Sequence, residues 1–243
     1  MPEGPSLVIA REQMLPFKGK KISAVTGNSK IEKERLVNKK LVDIRTWGKH
    51  LLLCFDGFTI RIHFLMFGTY YINATKDAVP RLSMKFSKGE INLYTCAVKM
   101  IEEPLDEIYD WSADVLSDEW DPKAARKKLK SMPEVLVTDA LLDQNIFSGV
   151  GNIIKNEVLY RIKVHPKTKT GALPPRKLTE LINEARNYSF DFLKWKKEYT
   201  LKKHWLAHTK KTCQRDGDKI LKEYLGTTNR RTFFCNSCQV LYT

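Results

Sequence analysis

The stretch LLDQNIFSGVGNIIKNEVLYRI (141–162) reads as two helices hinged on a glycine-bearing turn. One helix ends near Gln144, the chain turns tightly through Ser148, Gly149, Val150 and Gly151, and a second helix opens at Asn152. The glycines permit positive φ and let a large ligand approach the backbone. Backbone amides at a helix N-terminus, with an Asn side chain beside them, suit a phosphate. A plain hairpin turn with an Asn cap uses the same residues for structure alone. Around this hinge the texture is helical from 122 to 200. Asp121 and Pro122 form an N-cap and first-turn pair, and 133–144, 152–162 and 174–199 carry apolar residues at three- and four-residue spacing.

Toward the N-terminus the texture turns to β. Short runs between 20 and 100 are rich in β-branched and aromatic residues and are parted by Gly, Asp-Gly or Lys-Gly turn signals. Closely spaced strands of this kind predict an antiparallel β-sandwich. A short helix over 5–15, opened by Pro5, leads into them with Leu7, Val8, Ala10 and Met14 on its apolar side. The tail from 205 is Cys-rich and β-like. The fold class is therefore α+β, in four parts: a β-sandwich with its leading helix (1–100), an acidic connector (101–122), a helical domain (123–204) and a terminal ribbon (205–243).

Charge follows the same divisions. The 243 residues hold 42 Lys+Arg against 28 Asp+Glu, a net +14, and the 42% hydrophobic content is that of a folded globular chain. Residues 1–100 carry +9, residues 101–122 carry −9 with no Lys or Arg, and residues 123–243 carry +14. Two basic blocks parted by an acidic connector suit a polyanionic partner, most simply nucleic acid, with the connector turned away from it. No run reaches the ~18 apolar residues of a membrane span. The start MPEGPSLVIAREQ lacks the basic lead and apolar run of a secretory signal, so none is expected.

The five cysteines are of two kinds. Cys54 and Cys96 lie in apolar strand runs and are expected as buried free thiols. Cys213, Cys235 and Cys238 crowd the end of the chain, and the C-x2-C spacing of the last two suits a tetrahedral structural zinc. Four ligands are needed. Asp216 fits the spacing of a second knuckle, CQRDG, while His208 fits zinc's ligand preference; Asp216 is favoured. A short ribbon has little core, which favours a metal staple.

The N-terminus reads Met1-Pro2-Glu3-Gly4-Pro5. Removal of Met1 before the small Pro is expected to leave Pro2 as a free secondary amine, a nucleophile toward a sugar aldehyde carbon. An α-amino group titrates near about 8, so part of it is unprotonated at neutral pH. Condensation gives an iminium that draws electrons from the neighbouring carbon. Glu3 stands ready to shuttle protons at the sugar.

MPEGP (1–5), WGKHLLL (47–53), LLDQ-x4-GVGN (141–152) and NRRTFFCNSC (229–238), in that order, resemble the formamidopyrimidine-DNA glycosylase and endonuclease VIII family over the whole chain. The resemblance implies a base-excision repair enzyme. Its fold would be an N-terminal β-sandwich, a helix–two-turn–helix domain and a zinc finger, with DNA bound between domains. Pro2 would attack the deoxyribose C1′ and Glu3 would serve as general acid/base at the ring oxygen. Lys49, Asn152 and Arg230 would hold phosphates, with Arg231 the near rival of Arg230. Met66, in HFLMFG (63–68), would fill the space left by a flipped nucleotide. Strand cleavage would run by β- and then δ-elimination through a Schiff base.

Two departures bear on this. Ser6 stands where the family has a third acidic residue, and LYTCAVKMIEE (93–103) replaces the loop that carries two further void fillers. The second departure tilts the expectation toward oxidised pyrimidines, ahead of formamidopyrimidine or 8-oxoguanine. The partner expected is double-stranded DNA with damaged bases or abasic sites, met by a monomer with structural Zn2+, away from membranes, in the bacterial cytoplasm at the nucleoid. The competing readings are a non-catalytic relative that binds damaged DNA and a zinc-ribbon nucleic-acid module.

Overall fold

The computed structural model describes residues 2–243, so Met1 and its removal lie outside the described residues. The chain forms two compact units, Met1–Tyr109 and Asp110–Thr243.

The first unit opens with helix α1 (Gly4–Met14), where Pro5 takes a first-turn position that needs no amide donor. Six strands follow: β1 (Ile22–Thr26), β2 (Asp43–Trp47), β3 (His50–Phe55), β4 (Phe58–Ile72), β5 (Leu82–Phe86) and β6 (Glu90–Ile101). They join one antiparallel sheet in the order β1-β5-β6-β4-β3-β2. The turn signals act as read: Gly48, Gly57 and Gly89 all take positive φ between paired strands. Ile44, Leu51, Leu53, Ile60, Ile62, Met84 and Ile91 are fully buried, and Leu7 and Met14 of α1 join their cluster. Two polar contacts fix the helix on the sheet: Arg11 Nε donates to Ile44 O at 2.9 Å and the Tyr70 hydroxyl donates to Gln13 Oε1 at 2.8 Å. Cys96 is buried, as expected, and burial pushes its thiol up to about 11. Cys54 is only partly buried, a correction to the expectation of two buried thiols.

β4 departs from a plain strand. Phe64 pairs with Cys96 and Thr69 with Tyr94, so Leu65, Met66, Phe67 and Gly68 stand against Thr95 alone. The ladder is intact on both sides, and the surplus residues bulge outward. Phe67 and Thr95 both take positive φ, at 72° and 50°. Gly68 closes the bulge against backbone: a Cβ there would lie 2.7 Å from Thr95 O and 2.8 Å from Phe64 Cβ.

The second unit is helical, with a terminal hairpin. Its helices are α3 (Pro122–Lys130), α4 (Val137–Leu142), α5 (Asn152–Arg161) and α6 (Pro175–Lys197), and the short α2 (Leu105–Ile108) closes the first unit. Asp121 caps α3 by accepting from Lys123 N at 2.8 Å, the role its sequence position predicts. Phe147, Val150, Ile154, Val158, Leu181 and Tyr188 form the core between α5 and α6. α4 is shorter than the periodicity of 133–144 suggests, because Val137 N is drawn to Thr168 O at 2.9 Å and Leu136 bridges Lys169. The acidic stretch is built into the fold: Trp111, Ala113 and Val115 are buried, and Arg186 donates to Val115 O and Ser117 O, both at 2.9 Å. The hairpin pairs β7 (Ile220–Leu225) with β8 (Arg230–Cys235).

Gly68→Ala is expected to destabilise the first unit by about 1–3 kcal/mol, since a methyl group would press on backbone that cannot retreat. Urea unfolding checks this, and a midpoint equal to that of the parent would show that the bulge tolerates the methyl.

Candidate functional site

In the first unit Pro2 is half-buried and Glu3 is the N-cap residue of α1, 4% exposed. Glu3 O accepts from Ser6 N at 2.8 Å, which fixes the first turn, and its carboxylate lies where the helix's partial positive charge gathers. The peptide thus places a nucleophile candidate and a carboxylate side by side at one helix end.

Lys49 sits with Gly48 in the two-residue turn between Trp47 and His50. Gly48, at φ 51°, takes the first turn position, which a type II′ hairpin reserves for glycine. His63 Nδ1 lies 3.2 Å from Lys49 O, so β4 braces this turn. His50 faces His63 across the strands, ring centroids 5.3 Å apart, and its Nδ1 lies 3.2 Å from the Tyr109 hydroxyl. Burial, then the charges of Arg61, His63 and Lys49, push the His50 imidazole down to about 4. Burial also lowers His63, against the pull of its bond to Lys49 O. Both rings therefore stay neutral at pH 7 and keep a proton acceptor beside the lysine turn. Sequence reading missed this group; two His facing each other on paired strands, each near a base, was the available signal. Met66 lies on the bulge of β4, 56% exposed.

In the second unit the 141–152 hinge is held by Gln144, whose Nε2 donates to Leu142 O at 2.8 Å and Val150 O at 3.2 Å while its Oε1 accepts from Gly149 N at 3.1 Å. Only Gly149 needs positive φ, at 98°; Gly151 is an extended N-cap. Asn152 opens α5 and donates through Nδ2 to Arg231 O at 2.9 Å. Its Oδ1 is buried and meets no donor among the described residues. Arg230 and Arg231 are exposed at the start of β8. Asn152 and the two arginines, far apart in sequence, thus meet at one place.

Behind them lies a buried polar layer. Lys155, Asn156 and Glu157 are all at most 1% exposed. Lys155 Nζ donates to Thr232 Oγ1 at 2.8 Å. Asn156 pairs with His208 Nδ1 at 3.0 Å. Glu157 accepts from Leu206 N, Ala207 N and His208 N at 2.7–2.9 Å. From sequence these three read only as the polar side of a helix, and it is the fold that buries them.

At the end of the hairpin Cys213, Asp216, Cys235 and Cys238 bring one ligand atom each to within 4.8 Å of one another. Cys213 Sγ and Cys238 Sγ are 3.7 Å apart, matching the edge of about 3.8 Å of a tetrahedron with 2.3 Å metal–sulfur bonds. Asp216 Oδ2 lies 3.2 Å from Cys235 Sγ. Three thiols and one carboxylate in this shape fit a divalent metal ion. His208, the rival ligand, is outside the cluster: its Nδ1 is taken by Asn156, and burial pushes it down to about 4.

Comparison with known proteins matches residues 1–98 to the formamidopyrimidine-DNA glycosylase N-terminal domain and residues 112–190 to the formamidopyrimidine-DNA glycosylase H2TH domain. The chain is 32% identical to Endonuclease 8-like 3 of Xenopus laevis over 81% of its length, while spanning only 34% of that longer protein. It is 27% identical to formamidopyrimidine-DNA glycosylase of Lactobacillus helveticus over 100% of both chains. Its fold superposes with TM-score 0.85 and 23% identity on a solved structure of Lactococcus lactis formamidopyrimidine DNA glycosylase non-covalently bound to DNA containing an AP site, covering 98% of this chain and 99% of that one.

His50 gives a pH test. Its folded form takes a proton only near pH 4 and its unfolded form near 6.5, so unfolding takes up a proton between those values. The stability it contributes is complete above pH 6.5 and is lost as pH falls toward 4. Urea unfolding across that window should show a steeper fall for the parent than for His50→Gln; parallel curves would remove His50 as the source.

Proposed function

The chain belongs to the formamidopyrimidine-DNA glycosylase family, and from that membership we propose that it is a base-excision repair enzyme, a bifunctional DNA glycosylase and abasic-site lyase. The observation that carries the reading is Pro2 beside the buried Glu3 at the head of α1.

With Met1 removed, the Pro2 nitrogen attacks C1′ of a damaged nucleotide and the base leaves with the electrons of the glycosidic bond. The ring opens to an iminium, with Glu3 moving the proton at the ring oxygen. Loss of a C2′ proton expels the 3′ phosphate, and a second elimination expels the 5′ phosphate. Lys49 holds the phosphate beside the lesion. Asn152 and Arg230, with Arg231 next to it, hold further phosphates, a role supported by their meeting at the α5 terminus. Met66 occupies the space vacated by the flipped nucleotide, which suits its exposure on the bulge. Ser6 cannot supply the carboxylate it replaces, so the opened sugar is held by other groups.

The substrate is double-stranded DNA with oxidised pyrimidines, ahead of formamidopyrimidine or 8-oxoguanine, and with abasic sites. The enzyme works as a monomer, in the bacterial cytoplasm at the nucleoid. Cys213, Asp216, Cys235 and Cys238 would hold Zn2+, which when bound ties the two knuckles together and stiffens the hairpin carrying Arg230.

Borohydride added to the protein on an abasic duplex should give a covalent adduct, and Pro2→Gly should lose both adduct and base excision while still binding DNA. If Pro2→Gly excises at the normal rate, or the parent gives no adduct at all, the catalytic reading fails. Metal removal with a strong chelator should release about one Zn2+ per chain and weaken duplex binding; an unchanged protein free of zinc would show that the hairpin stands without it.

A further inference from the structure

Asp139 stands in the first turn of α4, just ahead of the LLDQ segment that leads into the hinge. Both of its carboxylate oxygens lie within reach of one backbone amide: Thr227 N donates to Oδ1 at 3.1 Å and to Oδ2 at 3.0 Å. Thr227 belongs to the turn 226–229, which joins β7 to β8. Gly226 enters that turn at φ 76°, and a Cβ there would lie 2.6 Å from Asp139 Cγ, so only glycine lets the turn close on the carboxylate. Asn229 N donates to Gly226 O at 3.1 Å and completes the turn, and Arg230 follows at once. A cleft of about 690 Å³ lies between helix and turn, lined in part by Met132, Leu136, Ala140, Gly226 and Thr228, so apolar packing does not seat the turn there. Neither the elimination chemistry nor the metal cluster uses the Asp139 contact.

We propose that Asp139 is a positioning residue for Arg230, which latches the hairpin turn to α4 so that the guanidinium meets a phosphate from a fixed base; this rests on the DNA glycosylase reading and on the place of Arg230 in it. Arg230 lies between two anchors. Asn152, at the start of α5, holds the chain one residue later through Arg231 O, and Asp139 holds it three residues earlier through Thr227 N. With the first anchor alone the turn can pivot, and DNA binding must then order backbone as well as side chain. By charge alone, a carboxylate beside the turn that carries Arg230 weakens the hold on a phosphate, because like charges repel. As an anchor it strengthens that hold. The two roles predict opposite signs for its removal.

The test measures binding of the full chain to a duplex with a tetrahydrofuran abasic analogue, for the parent, Asp139→Ala, Asp139→Asn, Arg230→Ala and the double variant Asp139→Ala/Arg230→Ala. Alanine suits a helix, so Asp139→Ala is expected to fold, and Asp139→Asn keeps one acceptor for Thr227 N without the charge. Asp139→Ala should bind about tenfold more weakly, the scale of one hydrogen bond to a charged group, and Asp139→Asn should keep most of the parent's affinity. The double variant should bind no more weakly than Arg230→Ala alone, because the carboxylate acts through the arginine. Amide exchange at Thr227 should speed up in Asp139→Ala while the urea midpoint stays close to the parent's. Binding of Asp139→Ala that equals or exceeds the parent's would overturn the proposal and leave Asp139 as a bare charge. So would losses that add in the double variant, an Asp139→Asn as weak as Asp139→Ala, or an Arg230→Ala that binds like the parent. A parent that does not bind the duplex would instead sink the glycosylase reading, and the proposal with it.

Discussion

A β-strand must pair its backbone, and β4 does so on both sides of a break where four of its residues face one of β6. That requirement organises the first unit. Because Phe58–Phe64 and Thr69–Ile72 are committed to the ladder, the surplus has nowhere to go but outward. Three apolar side chains then stand in solvent, against the hydrophobic effect, on a backbone where Phe67 and, opposite it on β6, Thr95 take positive φ. Such a cost is sustained only when its surroundings over-determine it, and it tends to mark a working surface. The paired parts of β4 carry the rest. One end braces the Lys49 turn through His63, and the other holds α1, and with it Glu3, through Tyr70 and Gln13.

The second unit rests on a different constraint, the intolerance of a buried carboxylate for isolation. Glu157 is fully buried and gathers three backbone amides from 206–208. Removing it would leave those donors unpaired in a dry environment, at about 1–3 kcal/mol for each. The contact seats the entry to the terminal hairpin on α5, Lys155 and Asn156 secure β8 next to it, and Asn152 completes the row at the helix N-terminus. The arginines of β8 are thus placed by a helix, while the hairpin's own core is little more than Ile220, Phe233 and the cysteines with neighbours from α5 and 206–207. A four-ligand cluster at the far end is the natural complement to so small a core.

Most of this was legible where a local rule decided the outcome. Strand existence followed from β-branched runs between glycine turns, and the α3 cap from Asp121 and Pro122. Asp216 was readable as a cluster member from spacing alone. The failures occur where distant partners override local pattern. HFLMFG looks like uninterrupted strand, and only the pairing with β6 reveals that four residues share one opposite number. Residues 133–144 have helical spacing, yet the hold of Thr168 on Val137 delays the helix. Lys155, Asn156 and Glu157 look like a solvated patch until the hairpin covers them. His208 was a reasonable ligand by chemistry, yet the fold seats its ring against Asn156 and Phe233, outside the four-residue cluster.

The acidic stretch changes the meaning of the net charge. Glu102 pairs with Arg35, Asp110 with Lys128, Asp121 caps a helix and Asp114 is buried. These four carboxylates serve local structure, and in each ion pair the carboxylate and its cation offset one another. Part of the stretch's negative charge is therefore committed to ion pairs and caps inside its own unit. Under the proposed function, the cations that matter are those at fixed places: Lys49 on a two-residue turn, and Arg230 and Arg231 at a strand start bonded to a helix N-terminus. A turn and a strand end hold their charges at defined points, where a flexible surface lysine would not. Under the proposed function, a few anchored cations set how each unit holds a phosphate, and the surplus of +14 sets the background attraction.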